Sequence, residues 1–132
     1  EEGVAYLERL DSPNVKLMLD TFHMNIEESS LGEAVQTAGD QLGHLHIGEN
    51  NRTPPGRGHL PWPELVESLH SVGYEGSVVM EPFLKPGGTV GRDIRVYRDL
   101  AQGMDLDREA VEALQFMRDQ FDKVGRSETP GS

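Results

Sequence analysis

Two kinds of apolar pattern alternate along the chain. Apolar residues recur at helical spacing in four stretches, which predicts helices at residues 4–10, 31–38, 63–72 and 107–124. A short fifth helix is predicted at residues 93–101. Residues 15–19 are a short, mostly apolar run typical of a strand covered on both faces, and residues 43–47 and 77–80 are two further predicted strands. Residues 20–29 and 48–59 are polar or rich in proline and glycine, which predicts loops. Strands that alternate with helices predict an α/β fold with a parallel sheet.

Residues that begin and end helices support these boundaries. Ser30 with Glu33 three residues later has the pattern of a capping box at the start of a helix. Pro63 suits the first turn of the next helix, where its missing N–H costs nothing. Gly39 and Gly73 stand where the two helices are predicted to end.

Composition and charge exclude several classes of protein. The 132 residues are 36% hydrophobic, which is enough for one domain with a core. A net charge of -11 repels phosphate and anionic lipid, so nucleic acid and membrane surfaces are poor partners. The absence of cysteine excludes disulfides, thiolate metal sites and a cysteine nucleophile. No apolar run approaches the roughly 20 residues that span a bilayer.

Each predicted strand carries a metal-ligating side chain at or near its end. Asp20 follows the first strand, His46 lies within the second and Glu81 follows the third. Because side chains alternate along a strand, all three lie opposite the apolar residues that would face the helices. Parallel α/β sheets and barrels place their sites at these carboxyl ends. Two carboxylates and an imidazole suit a divalent ion such as Mn²⁺ or Mg²⁺, with Co²⁺ and Zn²⁺ as alternatives.

Each of these residues taken singly has a more ordinary interpretation. A lone Asp after a strand is more often a cap, and a Glu before Pro82 could be surface charge. A lone His in a strand is more often a hydrogen-bonded core residue. Their matching placement on three successive strands favours a shared site, but it does not identify a reaction.

Four segments resemble the D-tagatose 3-epimerase family, which includes D-psicose and L-ribulose 3-epimerases. They are LMLDTFHMNIEE at residues 17–28, GHLHIGENNR at 43–52, MEPF at 80–83 and GGTVGRDIRVYRDL at 87–100. The resemblance implies a xylose isomerase-like (β/α)₈ TIM barrel, of which this chain supplies the C-terminal portion with the last three βα units. Residues 1–125 would form that partial barrel and residues 126–132 a flexible tail.

The resemblance also implies a site. One divalent metal, usually Mn²⁺, would be bound by two Glu, one Asp and one His, with Asp20, His46 and Glu81 as three of these ligands. Glu81 would also be one of two catalytic carboxylates. His23 matches a substrate-binding histidine, and Arg52 matches an arginine that contacts sugar oxygens. Without the motif, Arg52 would be interpreted as a surface partner of Glu49.

The implied function is ketose 3-epimerisation, in which a proton leaves and returns at C3 through an enediolate. The fourth ligand, a Glu on the preceding strand in the family, has no match, and the chain begins at Glu1 rather than Met. We therefore expect a truncated piece that is inactive alone. The whole protein would be a cytoplasmic homo-oligomer that binds a free ketose.

Two alternatives remain open at this stage. One is a hydroxypyruvate isomerase or another sugar isomerase of the same barrel group. The other is a non-catalytic half-barrel that binds a metal or a partner chain.

Overall fold

The computed structural model describes residues 1–127, with side chains to residue 125. The described elements are α1 (Glu2–Leu10), β1 (Leu17–Asp20), α2 (Thr21–Glu27), α3 (Leu31–Ala38), β2 (Leu42–Ile47), α4 (Trp62–Ser71), β3 (Val78–Met80), α5 (Gly88–Asp93) and α6 (Leu106–Ser127). A short 3₁₀ turn, Gly39–Gln41, joins α3 to β2. Of the predicted tail at residues 126–132, the first two residues continue α6, and residues 128–132 lie outside the described residues.

The three strands form one parallel sheet in the order β1-β2-β3. The predicted strands are thus confirmed, although β1 begins two residues later than expected, at Leu17. Asp20 pairs with His46, and Ile47 pairs with Met80. This register brings the carboxyl ends of all three strands to the same edge of the sheet.

One face of the sheet carries the core. Leu45 of β2 and Leu65 of α4 are completely buried, and Val35 of α3 packs in the same cluster. Burial of each such side chain is worth about 1.5–3 kcal/mol, so this cluster fixes the helices against the sheet. The opposite face is open, since Met18 is 56% exposed and Val79 is 42% exposed.

A helix replaces part of the loop that the sequence predicts at residues 20–29. α2 begins directly after β1 because one side-chain oxygen of Asp20, Oδ1, accepts hydrogen bonds from the backbone N–H of Phe22 (2.9 Å) and of His23 (3.4 Å). Only Thr21 and Met24 of this helix are buried. The loop prediction is wrong because two buried positions are too few to produce a visible helical period.

The helix predicted at residues 93–101 is also wrong. The helix in this region is α5, which ends at Asp93. Arg95 has φ 62°, in the left-handed region, which interrupts a right-handed helix. The N–H of Leu100 donates to the carbonyl of Leu84 at 2.7 Å, whereas a continuous α-helix would pair it with the carbonyl of Val96.

The ends of α3 and α4 agree with the sequence, whereas α6 continues three residues beyond its predicted end, to Ser127. Gly39 and Gly73 follow α3 and α4 with φ of 51° and 65°, as expected of glycines that end helices. None of the helices within residues 1–127 combines the length and apolar character needed to cross a membrane.

A carboxylate of α4 fastens the beginning of α3. Ser30 caps α3, as predicted, by accepting the N–H of Glu33 at 3.0 Å. Its hydroxyl donates to Glu64 Oε1 at 2.6 Å, and the N–H of Gly32 donates to the same oxygen at 2.9 Å. These two bonds lower the pKa of Glu64 below its ordinary value because both favour the charged carboxylate. The bond from Ser30 has the larger effect and the bond from Gly32 the smaller.

We predict that Ser30→Ala raises the pKa of Glu64, because the larger of the two stabilising bonds is removed. An NMR titration of the Glu64 carboxyl in both proteins measures this shift. Since the folded-state pKa is lowered, the bonds stabilise the fold above the ordinary pKa, and this stabilisation is lost as pH falls through the lowered value. Identical titration midpoints in the two proteins would contradict this description of the contact.

Candidate metal centre

The aligned strand ends bring three predicted ligands together. One ligating atom from each of Asp20, His46 and Glu81 lies within 4.8 Å of those of the other two. Nδ1 of His46 and Oε2 of Glu81 are 3.3 Å apart. The N–H of Glu81 donates to the carbonyl of Ile47 at 2.9 Å, which continues the strand pairing up to the ligand itself.

These separations fit a hexacoordinate divalent ion. At ligand distances of about 2.1 Å, adjacent donor atoms lie about 3.0 Å apart and opposite ones about 4.2 Å. The 3.3 Å between the His46 and Glu81 atoms is close to the separation of adjacent ligands. All three ligating atoms lie within 4.8 Å of one another, so small side-chain shifts would bring them into contact with one ion. Two oxygens and one imidazole nitrogen are a donor set for Mn²⁺, Mg²⁺ or a similar ion. The described residues therefore include a group that could hold a divalent metal.

Asp20 caps a helix and is also available as a metal ligand, which are the two interpretations that the sequence presents as alternatives. Its Oδ1 caps α2, which leaves Oδ2 for an ion. Hydrogen bonds to one oxygen of a carboxylate fix the direction of the other, as outer contacts commonly do for metal ligands. The cap therefore orients a candidate ligand.

A threonine next to this ligand ties two strand ends together. Thr21 is completely buried. Its hydroxyl donates to the carbonyl of Gly48 at 2.7 Å and accepts the N–H of the same residue at 3.0 Å. Because Thr21 follows Asp20 and Gly48 lies two residues after His46, this pair of bonds holds the two candidate ligands in register. Nothing in the sequence pattern indicated this contact.

Arg52 lies between aromatic rings beyond the strand ends. Its guanidinium carbon is 3.7 Å from the centroid of the Phe22 ring and 5.3 Å from that of Phe83. These distances are typical of cation–π contacts. The interpretation of Arg52 as a surface partner of Glu49 is wrong, since Glu49 is completely buried.

The space beside Arg52 is large enough for a small ligand. A cavity of about 450 Å³ lies there. It is lined by Phe22, Asn51, Arg52, Phe83 and residues 94–98 and 100. Of the predicted site residues, Arg52 thus adjoins a cavity, whereas Asp20, His46 and Glu81 form the ligand cluster.

His23 lies in the first turn of α2, near the same end of the sheet. Its side chain is exposed, and its ring contacts that of Phe22 edge to face at 5.3 Å. The ring of Phe22 thus contacts both His23 and Arg52. The role of His23 in substrate binding stays a prediction.

Residues 1–120 match the profile of a family described as the xylose isomerase-like TIM barrel. The chain belongs to this family. The predicted fold class, a partial (β/α)₈ barrel with parallel strands, is confirmed by this match and by the parallel sheet.

The relatives within this family are sugar epimerases by name. The D-psicose 3-epimerase of Ruminiclostridium cellulolyticum is 60% identical over 121 residues, which are 89% of this chain and 41% of that protein. The D-psicose 3-epimerase of Agrobacterium fabrum is 54% identical over 120 residues, with coverage of 89% and 42%. A crystal structure of D-psicose 3-epimerase with D-tagatose from Clostridium cellulolyticum H10 superposes with a TM-score of 0.88 at 58% identity, with coverage of 91% and 43%.

The chain therefore spans less than half the length of these barrel proteins, between 41% and 43%. This agrees with the expectation of a partial barrel. The open sheet face around Met18 and Val79 is the face that a complete barrel would enclose.

We predict that Thr21→Val exposes the Gly48 amide to solvent exchange. The substitution keeps the side-chain shape but leaves a buried N–H and a buried carbonyl without their partner, at a cost of about 1–3 kcal/mol. Hydrogen–deuterium exchange at Gly48 should accelerate by about fivefold to 150-fold.

Thr21→Ser is the matched control because it keeps the hydroxyl, so its exchange rate should stay near that of the unmodified chain. Slow exchange at Gly48 in Thr21→Val would show that Thr21 does not hold the strand ends.

Proposed function

We propose that the chain is the C-terminal part of a ketose 3-epimerase, and that Asp20, His46 and Glu81 bind a divalent ion, Mn²⁺ in the first instance. The observation that carries this proposal is the cluster of three ligating atoms at successive strand ends in a barrel-family chain. Two relatives that are 60% and 54% identical to this chain are named D-psicose 3-epimerase, which supports the proposed reaction type.

Epimerisation at C3 needs a base on one face of the sugar and an acid on the other. The C3 proton lies next to the C2 carbonyl, so its removal leaves an enediolate. A divalent ion bound at the cluster would supply Lewis-acid stabilisation of that negative charge. The carboxylate of Glu81 takes the proton on one face or returns it there. A second carboxylate must act on the opposite face. At the strand ends of residues 1–127 the other carboxylate is Asp20, which we assign as a metal ligand and whose Oδ1 caps α2, so the second proton-transfer group would come from another part of the barrel.

The remaining site residues bind and orient the sugar. Arg52 donates N–H groups toward hydroxyl and carbonyl oxygens, and the rings of Phe22 and Phe83 restrict its side chain. His23 binds a hydroxyl from the first turn of α2. Guanidinium and imidazole donors near the reacting carbons also favour the developing negative charge.

We predict that the 132 residues alone produce no D-psicose from D-fructose, even with excess Mn²⁺. A chimera should convert this sugar if it joins residues 1–132 to the preceding segment of the Ruminiclostridium cellulolyticum enzyme. The added strands supply the missing barrel wall and the second carboxylate. Chromatographic separation of the two ketoses measures the product. Activity of the isolated chain would contradict the partial-barrel account.

In that chimera, Glu81→Gln should abolish epimerisation, because one substitution removes a ligand and a proton-transfer group. Glu67→Gln is the matched control, since Glu67 is an exposed carboxylate of α4. Activity of Glu81→Gln within about tenfold of the control would remove Glu81 from the mechanism, because general acid–base groups typically contribute 10²–10⁴-fold. Turnover of hydroxypyruvate without turnover of ketoses would replace the proposed reaction with an isomerase of the same barrel group.

Alanine at Arg52 or at His23 should lower turnover of the chimera while leaving its metal content unchanged. Neither residue belongs to the cluster of ligating atoms. Elemental analysis of the purified variants, together with sugar kinetics, separates the two effects. Loss of the metal from either variant would show that our division between ligands and sugar-binding residues is incorrect.

A further inference from the structure

The geometry points to Glu49 as a positioning residue that holds Arg52 in its place. This inference rests on the proposed function for one point, the contact between Arg52 and the sugar. The chain of contacts from Glu49 to Arg52 stands on the structure itself.

Glu49 is a completely buried carboxylate with three N–H donors. Its Oε1 accepts from the backbone of Gly56 at 2.8 Å and from the indole of Trp62 at 2.7 Å. Its Oε2 accepts from the backbone of Leu60 at 3.2 Å. A buried carboxylate is tolerated only when such donors replace its water. Glu49 therefore organises the proline- and glycine-rich segment that follows β2.

Glycine at residue 58 is required by the same arrangement. A Cβ atom at Gly58 would overlap Oε2 of Glu49 and would lie 2.8 Å from the Cβ of Glu49. Atoms this close must move apart. The segment thus passes directly over the carboxylate and is shaped to fit it.

The backbone of Glu49 closes a turn that contains Arg52. The N–H of Arg52 donates to the carbonyl of Glu49 at 3.0 Å, and the N–H of Glu49 donates to the carbonyl of Thr53 at 2.9 Å. Arg52 has φ 69°, a left-handed conformation that costs a residue with a side chain about 1–2 kcal/mol. Such a conformation persists only where surrounding contacts enforce it.

Two contacts hold this turn from opposite sides. The N–H of Phe83, which follows the candidate ligand Glu81, donates to the carbonyl of Arg52 at 2.9 Å. On the other side, the buried side chain of Glu49 fixes the start of the turn. Arg52 then extends its guanidinium over the ring of Phe22. If the carboxylate is replaced, the turn can relax to φ below zero and the guanidinium leaves the ring.

Glu49→Gln tests this inference with minimal change in shape. Oε1 of Glu49 accepts two hydrogen bonds and Oε2 accepts one. In glutamine one of these oxygens becomes an NH₂ group, which cannot accept a hydrogen bond from the N–H group that it faces. Glu64→Gln is the control for the chemical change, because Glu64 accepts two hydrogen bonds on Oε1 but is an exposed residue of α4, in contact with the start of α3. Should Glu49→Gln fail to fold, Gly58→Ala is measured in the same way, since its added Cβ crowds Oε2 of Glu49 together with Oδ1 of Asn50.

The first measurement is NMR of the 132-residue chain. The Arg52 Nε–H signal should be shifted by the ring current of Phe22, and Phe22→Leu identifies that shift by removing it. We expect Glu49→Gln to remove it as well, and Glu64→Gln to leave it unchanged. Trp62 is the single tryptophan, so its indole N–H gives one signal that reports directly on the bond to Glu49. An Arg52 signal that stays shifted in Glu49→Gln overturns the inference.

The second measurement is a double-mutant cycle on the KM of the chimera for D-fructose. We expect Glu49→Gln to raise KM by about tenfold when Arg52 is present. In an Arg52→Ala background the same substitution should raise KM by less than about twofold, because Glu49 acts through Arg52. A merely structural role would give equal increases in both backgrounds, which would overturn the inference. A chimera without any epimerase activity would reject the proposed function, whereas the NMR result would still decide whether Glu49 positions Arg52.

Discussion

The register of three parallel strands is the constraint on which the candidate site depends. Asp20 pairs with His46, and Glu81 continues the pairing of β3 with β2 through its bond to Ile47. A shift of one residue in either pairing would turn a candidate ligand to the opposite face of the sheet. The core on one face sets this register, since Leu45 and Ile47 are buried against the helices and His46 must then face the other way. Hydrophobic burial thus determines where polar chemistry can occur.

Much of this arrangement could be predicted from local patterns. The alternation of apolar runs and helical periods predicts the three strands and the parallel sheet, because both patterns arise from burial on one side of an element. Strand parity alone places Asp20, His46 and Glu81 on a common face. The sequence resemblance adds the family, and the match of residues 1–120 to the xylose isomerase-like barrel confirms it.

Of the features that sequence patterns missed, α2 has a local cause, whereas two others depend on contacts between residues far apart in the chain. α2 starts because Asp20 caps it, although the helix has too few buried positions to show a period. The segment at residues 93–101 fails to form a helix because Leu100 bonds to Leu84. Glu49 looks like an exposed acid, yet its donors come from positions seven to thirteen residues later in the chain. Single-residue propensities contain no information about such partners, which exist only after the chain has folded.

The binding of a divalent ion by Asp20, His46 and Glu81 is the central claim, and paramagnetic NMR tests it most directly. Addition of substoichiometric Mn²⁺ to the labelled chain should broaden the signals around these three residues first, and Glu81→Gln should require more Mn²⁺ for the same effect. The chain also has an exposed acidic surface that includes Glu27, Glu28 and Glu33, which serves as an internal comparison. Broadening that begins at this acidic surface and spares His46 would contradict the account.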